Sequence, residues 1–354
     1  MATNLAKQKY DLQKASFFRK GVAIALSSGI CFGTYSAFLT LGMERGVWAD
    51  WYGPASALSA FVVTYVLSAV GSAVNDTLSG IWFLILSAAR GKLADVGRTF
   101  RTKPGLVMII CALIGGPLAS TAYVVGLQTA GSLAATVAAL NSAIGAILGR
   151  LLFKQTLNLR MVVGIIVCFG SAIILGGTTF DGEFGGSTLL GLFMGFLAAL
   201  GWGIEGCVAG FGTSVIDSQV GVTIRQCTSG LANLIILVPL LCLVAGNIGL
   251  APELLGQAFT TDAIIFFVIA ALPAGLSYML WYRGTAMCGA ALGMTCNGAY
   301  AFWVPLFCWI LLGLICGEPG WALTPVQWAA AFMMFFGIFL IAMNPLDLLK
   351  KKEA

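Results

Sequence analysis

The sequence predicts an all-α integral membrane protein with ten transmembrane helices arranged as two inverted five-helix repeats. Three observations lead there: the scarcity of charge, apolar runs of about twenty residues that recur through the chain, and motifs in the first half that return in the second. Of 354 residues, 59% are hydrophobic and only 9% charged, with 45 glycines. A water-soluble domain carries nearer a quarter charged residues, so this chain has too little polar surface to cover an aqueous exterior. Alternating ten-residue segments, the mark of a lipid-embedded barrel, are missing.

The expected spans are 21–42, 54–74, 105–127, 131–152, 160–177, 189–212, 219–246, 263–284, 289–315 and 325–344. Residues 1–20 read as a polar cytoplasmic arm without a signal-peptide core, so the first span is expected to be retained. The halves divide as 21–180 and 187–345, and 346–354 forms a basic tail. The stretch 54–90 is too long for one bilayer crossing and contains Asn75 and Asp76. Residues 78–89 are therefore expected as a cytoplasmic extension or interfacial helix, with Asp76 and Arg283 both near the cytoplasmic boundary.

Orientation follows the Lys and Arg of short loops. Lys7, Lys9, Lys14, Arg19 and Lys20 precede the first span; Arg90, Lys92, Arg98, Arg101 and Lys103 follow the second. Arg150, Lys154 and Arg160 follow the fourth, and Lys350, Lys351 and Lys352 end the chain. One crossing by 54–90 puts all of these on one side. The opposite loops hold Glu44, Asp50, Asp181, Glu183, Glu253, Asp262 and Glu318, with Arg45 their sole basic residue. Both termini are thus expected in the cytoplasm, in a cell (inner, cytoplasmic) membrane. The net charge of +5 is spent on topology, and no basic soluble domain is left for nucleic acid.

The chain has no histidine, which removes His-based acid–base catalysis, Ser-His-Asp triads and nearly all zinc chemistry. There is no phosphate-binding G-x-x-x-x-G-K-[ST] loop. The ten cysteines lie in or at the ends of apolar spans without C-x-x-C spacing and read as small packing residues. No metal, cofactor or catalytic constellation is expected.

Internal symmetry is more informative. Gly115-Gly116-Pro117-Leu118-Ala119-Ser120-Thr121-Ala122-Tyr123 in the third span parallels Ala271-Leu272-Pro273-Ala274-Gly275-Leu276-Ser277-Tyr278 in the eighth. The first and sixth spans match around Gly33 and Gly203, and the fifth and tenth share Phe169-Gly170 and Phe336-Gly337. Five spans per half is odd, so the second copy enters from the opposite side, the inverted repeat that permits alternating access. Pro117 and Pro273 mark expected helix breaks or gating points, with a plain packing kink as the other reading.

Candidate solute contacts are polar or aromatic side chains at depth. Asn141 and Asn297 fall near the midplane on the fourth and ninth spans, and Tyr300 and Trp303 are three residues apart in the ninth. Tyr278, Trp281 and Tyr282 suit an interfacial belt as well as a solute site. Glu205 and Arg225 are deep charges, expensive in lipid and therefore functional candidates; they are expected either to pair or to leave Glu205 free for substrate or a proton. G-x-x-x-G pairs such as Gly29/Gly33 and Gly191/Gly195 favour packing within the chain, with a homodimer as the alternative.

At this point the chain resembles the ten-helix EamA-type members of the drug/metabolite transporter superfamily. Pro305, Gly317-Glu318-Pro319 and Leu323-Thr324-Pro325-Val326-Gln327-Trp328 carry the resemblance, with Trp202 and Arg225. The first half departs from it, with Ser142 and Lys154-Gln155 where proline and Gly-Glu stand in the family. The resemblance implies a secondary transporter of a small metabolite, with helices one, three, four, six, eight and nine around a central cavity to which Tyr35 and Trp202 also contribute. Aromatic faces and an acid lean toward an amine, amino acid or other cation or zwitterion. If Arg225 fully neutralises Glu205, a neutral polar solute becomes comparable. The expected partners are the solute, the bilayer and a coupling proton or ion. A membrane sensor or assembly partner is the alternative, and a membrane-embedded enzyme fits least.

The topology is testable by labelling. In a cysteine-free background, Thr3→Cys and Ala354→Cys will react only from the cytoplasm and Gly182→Cys only from outside; both termini reacting from outside would reverse the assignment.

Overall fold

A computed structural model describes residues 2–154, 158–178, 186–212, 215–288 and 290–342; side chains at 2–15, 18, 153, 175–178, 210–212, 290–292 and 342 are not described. The loop holding Asp181 and Glu183, Gln155 and the tail lysines lie outside these residues. Among the described residues there is no strand, and eight helices are long and apolar enough to cross a bilayer. They are α1 (Arg19–Gly42), α2 (Val62–Ala89), α3 (Lys103–Ala130), α4 (Leu133–Leu152), α6 (Gly186–Ala209), α7 (Ser218–Val244), α8 (Ile264–Cys288) and α9 (Gly293–Ile315). Two shorter apolar helices are α5 (Leu159–Ile174) and α10 (Pro325–Ile341). The chain is an all-α membrane protein. Its outward faces carry leucine, isoleucine and phenylalanine, for example Leu118, Ile166, Ile235 and Phe336, while serines, amides and charges turn inward.

The structure adds to one expectation and corrects another. The N-terminal arm is helical from Ala2 and continuous with α1, because no breaker separates it from the first span. The second helix begins at Val62, after the turn around Gly53 and Pro54, and runs unbroken to Ala89. Residues 78–89 are therefore not a separate interfacial piece: Ile81, Leu84 and Ile85 are exposed on one face while Ser79, Gly80, Phe83 and Ser87 are buried on the other. This later start moves Asp76 to the middle of the helix, where it is buried. Arg283, by contrast, is exposed, in a surface cleft with Lys20 and Phe17.

Packing pairs α1 with α8 and α9, α2 with α7, α5 with α10, and α6 with α3 and α4. Glycine sets the closest approach. A Cβ at Gly33 would stand 2.9 Å from Trp303, and one at Gly29 would stand 3.1 Å from the Asn297 carbonyl oxygen, so the Gly29/Gly33 pair seats α1 on α9 inside the chain.

The second-half motifs explain themselves as helix punctuation. Gly317, at φ +73°, turns the chain after α9 so that Glu318 N–H reaches the Leu312 carbonyl at 2.9 Å. Thr324 and Gln327 then form a reciprocal capping box: Gln327 N–H donates to Thr324 Oγ1 at 3.3 Å, and Thr324 N–H to Gln327 Oε1 at 2.9 Å. Pro325 fills the first helical position, where its missing N–H costs nothing.

The turn after α1 meets this region. Arg45 donates to Glu318 at 2.9 Å, and Glu44 Oε2 is buried without a hydrogen-bond partner. Burial and the Glu318 carboxylate, opposed by Arg45 and the Trp321 side chain, push Glu44 up to about 7. A carboxyl raised on folding stabilises the fold when protonated, and that stability is lost as pH rises from its ordinary ~4.3 toward 7. Wild-type melting temperature should thus fall across this window and level off above it, and Glu44→Gln should remove most of the fall. An unchanged profile in Glu44→Gln would place the titration elsewhere.

Candidate functional site

The site has two layers, an aromatic cavity and a charged cluster beside it. The cavity is built where two helices are interrupted. At 139–140 in α4 and at 298–299 in α9 the regular helix gives way to a tightened turn, with Leu140 N–H bonded to Val137 O and Ala299 N–H to Cys296 O. Both interruptions are enclosed by protein: residues 132–146 and 293–301 are buried throughout. Irregular backbone at membrane depth is tolerated in such surroundings and not against lipid. The turns are cross-tied, since Thr136 donates to the Ala301 carbonyl at 3.3 Å and Ser142 to the Met294 carbonyl at 3.1 Å.

Asn141 opens the second part of α4, and Asn297 closes the first part of α9. Both line the cavity together with Phe32, Trp202, Ser277, Tyr278, Trp281 and Tyr300. Phe32 anchors the aromatic wall, stacked on Tyr300 at 4.4 Å and edge-on to Trp202 at 5.5 Å. Tyr300 Oη and Trp281 Nε1 are buried without a protein partner, so both can bond a solute. The volume is about 10 Å³, close to that of one water. At that volume a solute enters only if the aromatic side chains part.

The charged cluster surrounds Arg225 of α7, which is wholly buried. Its Nε donates to Glu205 Oε1 at 3.1 Å, Nη1 to Gln226 Oε1, and Nη2 to the Gly115 carbonyl at 3.0 Å and Tyr278 Oη at 2.6 Å. The guanidinium also lies 3.8 Å from the centre of the Tyr278 ring, a cation–π arrangement. Asp76 Oδ2 stands 3.7 Å from Nη1 and accepts from Ser229. Tyr282 donates to Glu205 Oε1 at 3.2 Å.

Pro117 joins the layers. Residues Ile114–Ser120 form a π-helical turn around it, which suits a residue with no N–H to give. The Gly115 carbonyl there accepts from Ser120 at 2.9 Å, from Arg225, and from Trp202 Nε1 at 2.9 Å. One backbone oxygen thus ties the cavity wall to the buried cation. A Cβ at Gly115 would collide with the Glu205 carboxylate.

Of the residues singled out from sequence, Asn141, Asn297, Trp202 and Tyr300 come together on the cavity. Glu205 stands outside its lining, paired with Arg225. Tyr35 is buried behind Phe32 at 5.3 Å and does not line it. Trp303 is excluded: only partly buried, it packs on Gly33 and Phe307. Three helical residues advance about 300°, leaving Trp303 roughly 60° away from Tyr300. Pro273 does not break its helix, for α8 continues through it from Ile264 to Cys288; the interruptions are beside the asparagines instead. Tyr278, Trp281 and Tyr282 are all buried, so none forms an interfacial belt.

Asp76 is the functional candidate that sequence reasoning misplaced. Its signal was a stripe of Ser68, Ser72, Asn75, Ser79 and Ser87 at helical spacing, which marks a buried polar face.

No protein-family model and no curated protein matches this chain. A solved crystal structure of a protein has the same fold, with a TM-score of 0.59 over 95% of this chain and 98% of that one at 18% identity.

Removing the guanidinium strands two buried carboxylates, a change worth about 3–5 kcal/mol when a buried pair is broken. Arg225→Ala should therefore lose most folded protein, adding Glu205→Gln should restore part of it, and adding Asp76→Asn should restore more. Strictly additive losses in folded yield and melting temperature would mean that the three groups do not communicate.

Proposed function

We propose that this protein is a secondary transporter of the ten-helix EamA type in the drug/metabolite transporter superfamily, moving a small polar metabolite across the cytoplasmic membrane by alternating access. The observation that carries the reading is the placement of the two interruptions. α4 and α9 are equivalent in the proposed repeat of 21–180 and 187–345, and each is interrupted beside an asparagine on the same cavity. Transporter folds with inverted repeats build their solute sites where discontinuous helices meet near the midplane. Counting α5 and α10 as crossings gives ten, with both termini cytoplasmic. The likeness of fold to a solved structure at 18% identity carries no information on the solute.

The cavity suits a solute with a polar head and little bulk. Asn141 and Asn297 offer amides, Tyr300 and Trp281 offer unpaired polar atoms, and Phe32, Trp202 and Tyr300 offer ring faces. Ring faces attract a desolvated cation, favouring an amine, amino acid or other cation or zwitterion. A neutral polar solute is the second reading, favoured by one observation: Glu205 is paired with Arg225 at 3.1 Å and does not line the cavity. A membrane sensor or assembly partner would bind a ligand without moving it.

Flux into proteoliposomes containing only this protein, screened over amines, amino acids, sugars and nucleosides, separates these readings. For the solute that moves, Tyr300→Ala should weaken apparent affinity about 2- to 30-fold, corresponding to roughly 0.5–2 kcal/mol of ring attraction, while Trp303→Ala should leave it unchanged. Ligand-induced stabilisation without flux would point to a sensor. Flux insensitive to Tyr300→Ala would remove the cavity from the transport path.

A further inference from the structure

The charged cluster contains one more acid than base, and neither acid lines the cavity. We propose that Asp76 and Glu205 hold one exchangeable proton between them across Arg225, making the cluster a proton-binding site at the centre of the bundle.

Asp76, Glu205 and Arg225 are 4%, 0% and 0% exposed, so the fully ionised cluster would bury a net charge of −1 without water. Burying an ion is costly unless it is paired and hydrogen-bonded. Among the described residues, Arg225 is the one cation acting on either acid. The titratable neighbours are Tyr35 beside Asp76, Cys111 and Tyr282 beside Glu205, and Tyr278 on Arg225, all of types that are neutral near pH 7. Hydrogen bonding gives an independent indication. Arg225 distributes its donors to Glu205, Gln226, Gly115, Ser120 and Tyr278, leaving Asp76 at 3.7 Å, beyond a direct bond. Asp76 is left with Ser229 and Asn75 as donors. Glu205 Oε2 is fully buried with no partner at all, an acceptor that a proton would neutralise. A carboxylate and a proton combine to a carboxylic acid with no other reactant, and two acids flanking one cation share that proton as a coupled pair.

Tyr278 connects this site to the cavity, for it lines the cavity and also takes the Arg225 guanidinium on its ring and hydroxyl. A solute that displaces Tyr278 alters the pairing of Arg225 and with it the hold on the proton. That coupling role rests on the transport reading; the proton site does not.

The test is infrared spectroscopy of the full-length protein in lipid nanodiscs, in a Glu44→Gln background so that the extramembrane carboxyl adds no signal. At neutral pH the parent should show a protonated-carboxyl C=O band that shifts on exchange into D2O. Asp76→Asn and Glu205→Gln should each abolish it, since either leaves one acid against one guanidinium. Absence of the band in the parent, a band insensitive to D2O, or its persistence in either variant overturns the proposal; if one variant does not fold, the other decides. A separate arm follows internal pyranine in proteoliposomes during flux of the solute found by the screen. Proton movement with the solute in the parent, lost in Asp76→Asn, supports the coupling role, and solute flux without proton movement overturns it. Absence of flux for every solute would end the transport reading and leave the infrared result standing.

Discussion

The buried guanidinium of Arg225 is the constraint around which the centre of this protein is arranged. A cation without water is destabilising by several kcal/mol unless its donors are used and its charge is matched. The chain meets that demand with groups from four other helices: Asp76 on α2, Gly115 and Ser120 on α3, Glu205 on α6 and Tyr278 on α8. Several oddities of sequence follow from it. Gly115 and Gly116 lack side chains because Glu205 and Ser229 occupy the space where a Cβ would stand. Pro117 produces the π-helical turn in which the Gly115 carbonyl meets three side-chain donors.

The aromatic cavity rests on this framework and is softer than it. Its wall is held by ring contacts such as Phe32 on Tyr300 and Phe32 on Trp202, each worth about 0.5–1.5 kcal/mol. Asn297 donates to Ser28 Oγ at 2.8 Å. Rings can part at modest cost, whereas the cluster cannot lose Arg225 without stranding its buried acids. The rigid layer therefore positions the wall, and the wall is the part able to admit a guest.

Much of this was legible in the sequence. Helix existence was plain because lipid demands long apolar runs whatever their partners, and, α2 apart, the eight helices long and apolar enough to cross lie within a few residues of expected spans. Arg225 with Glu205, and Asn141 with Asn297, stood out because polar groups at depth are costly. What was not legible depended on register and direction. The start of α2 was set by the turn at Gly53 and Pro54, which hydropathy averages over, so Asp76 was assigned to the wrong depth. Trp303 was misread because a spacing of three is only approximately one face. Pro273 was misread because a proline inside a helix can be absorbed within it, whereas the interruptions at 139–140 and 298–299 carry no proline and no sequence mark beyond the neighbouring asparagines and Gly298.

The ends of the bundle complete the energetic picture. Arg45–Glu318 closes the end where α1 stops and α2 starts; Lys92–Asp217 at 2.8 Å and Arg90–Gln219 at 2.9 Å close the end where α2 stops and α7 starts. Both ion pairs are partly exposed, with side chains 31–49% accessible, and pairs in such positions contribute at most about 1 kcal/mol. Breaking the Arg225 cluster costs several times as much. A motion that opens one end at a time would therefore part an end pair and some ring contacts while leaving the central cluster closed. The cost of parting contacts is thus low at both ends of the bundle and high at its centre.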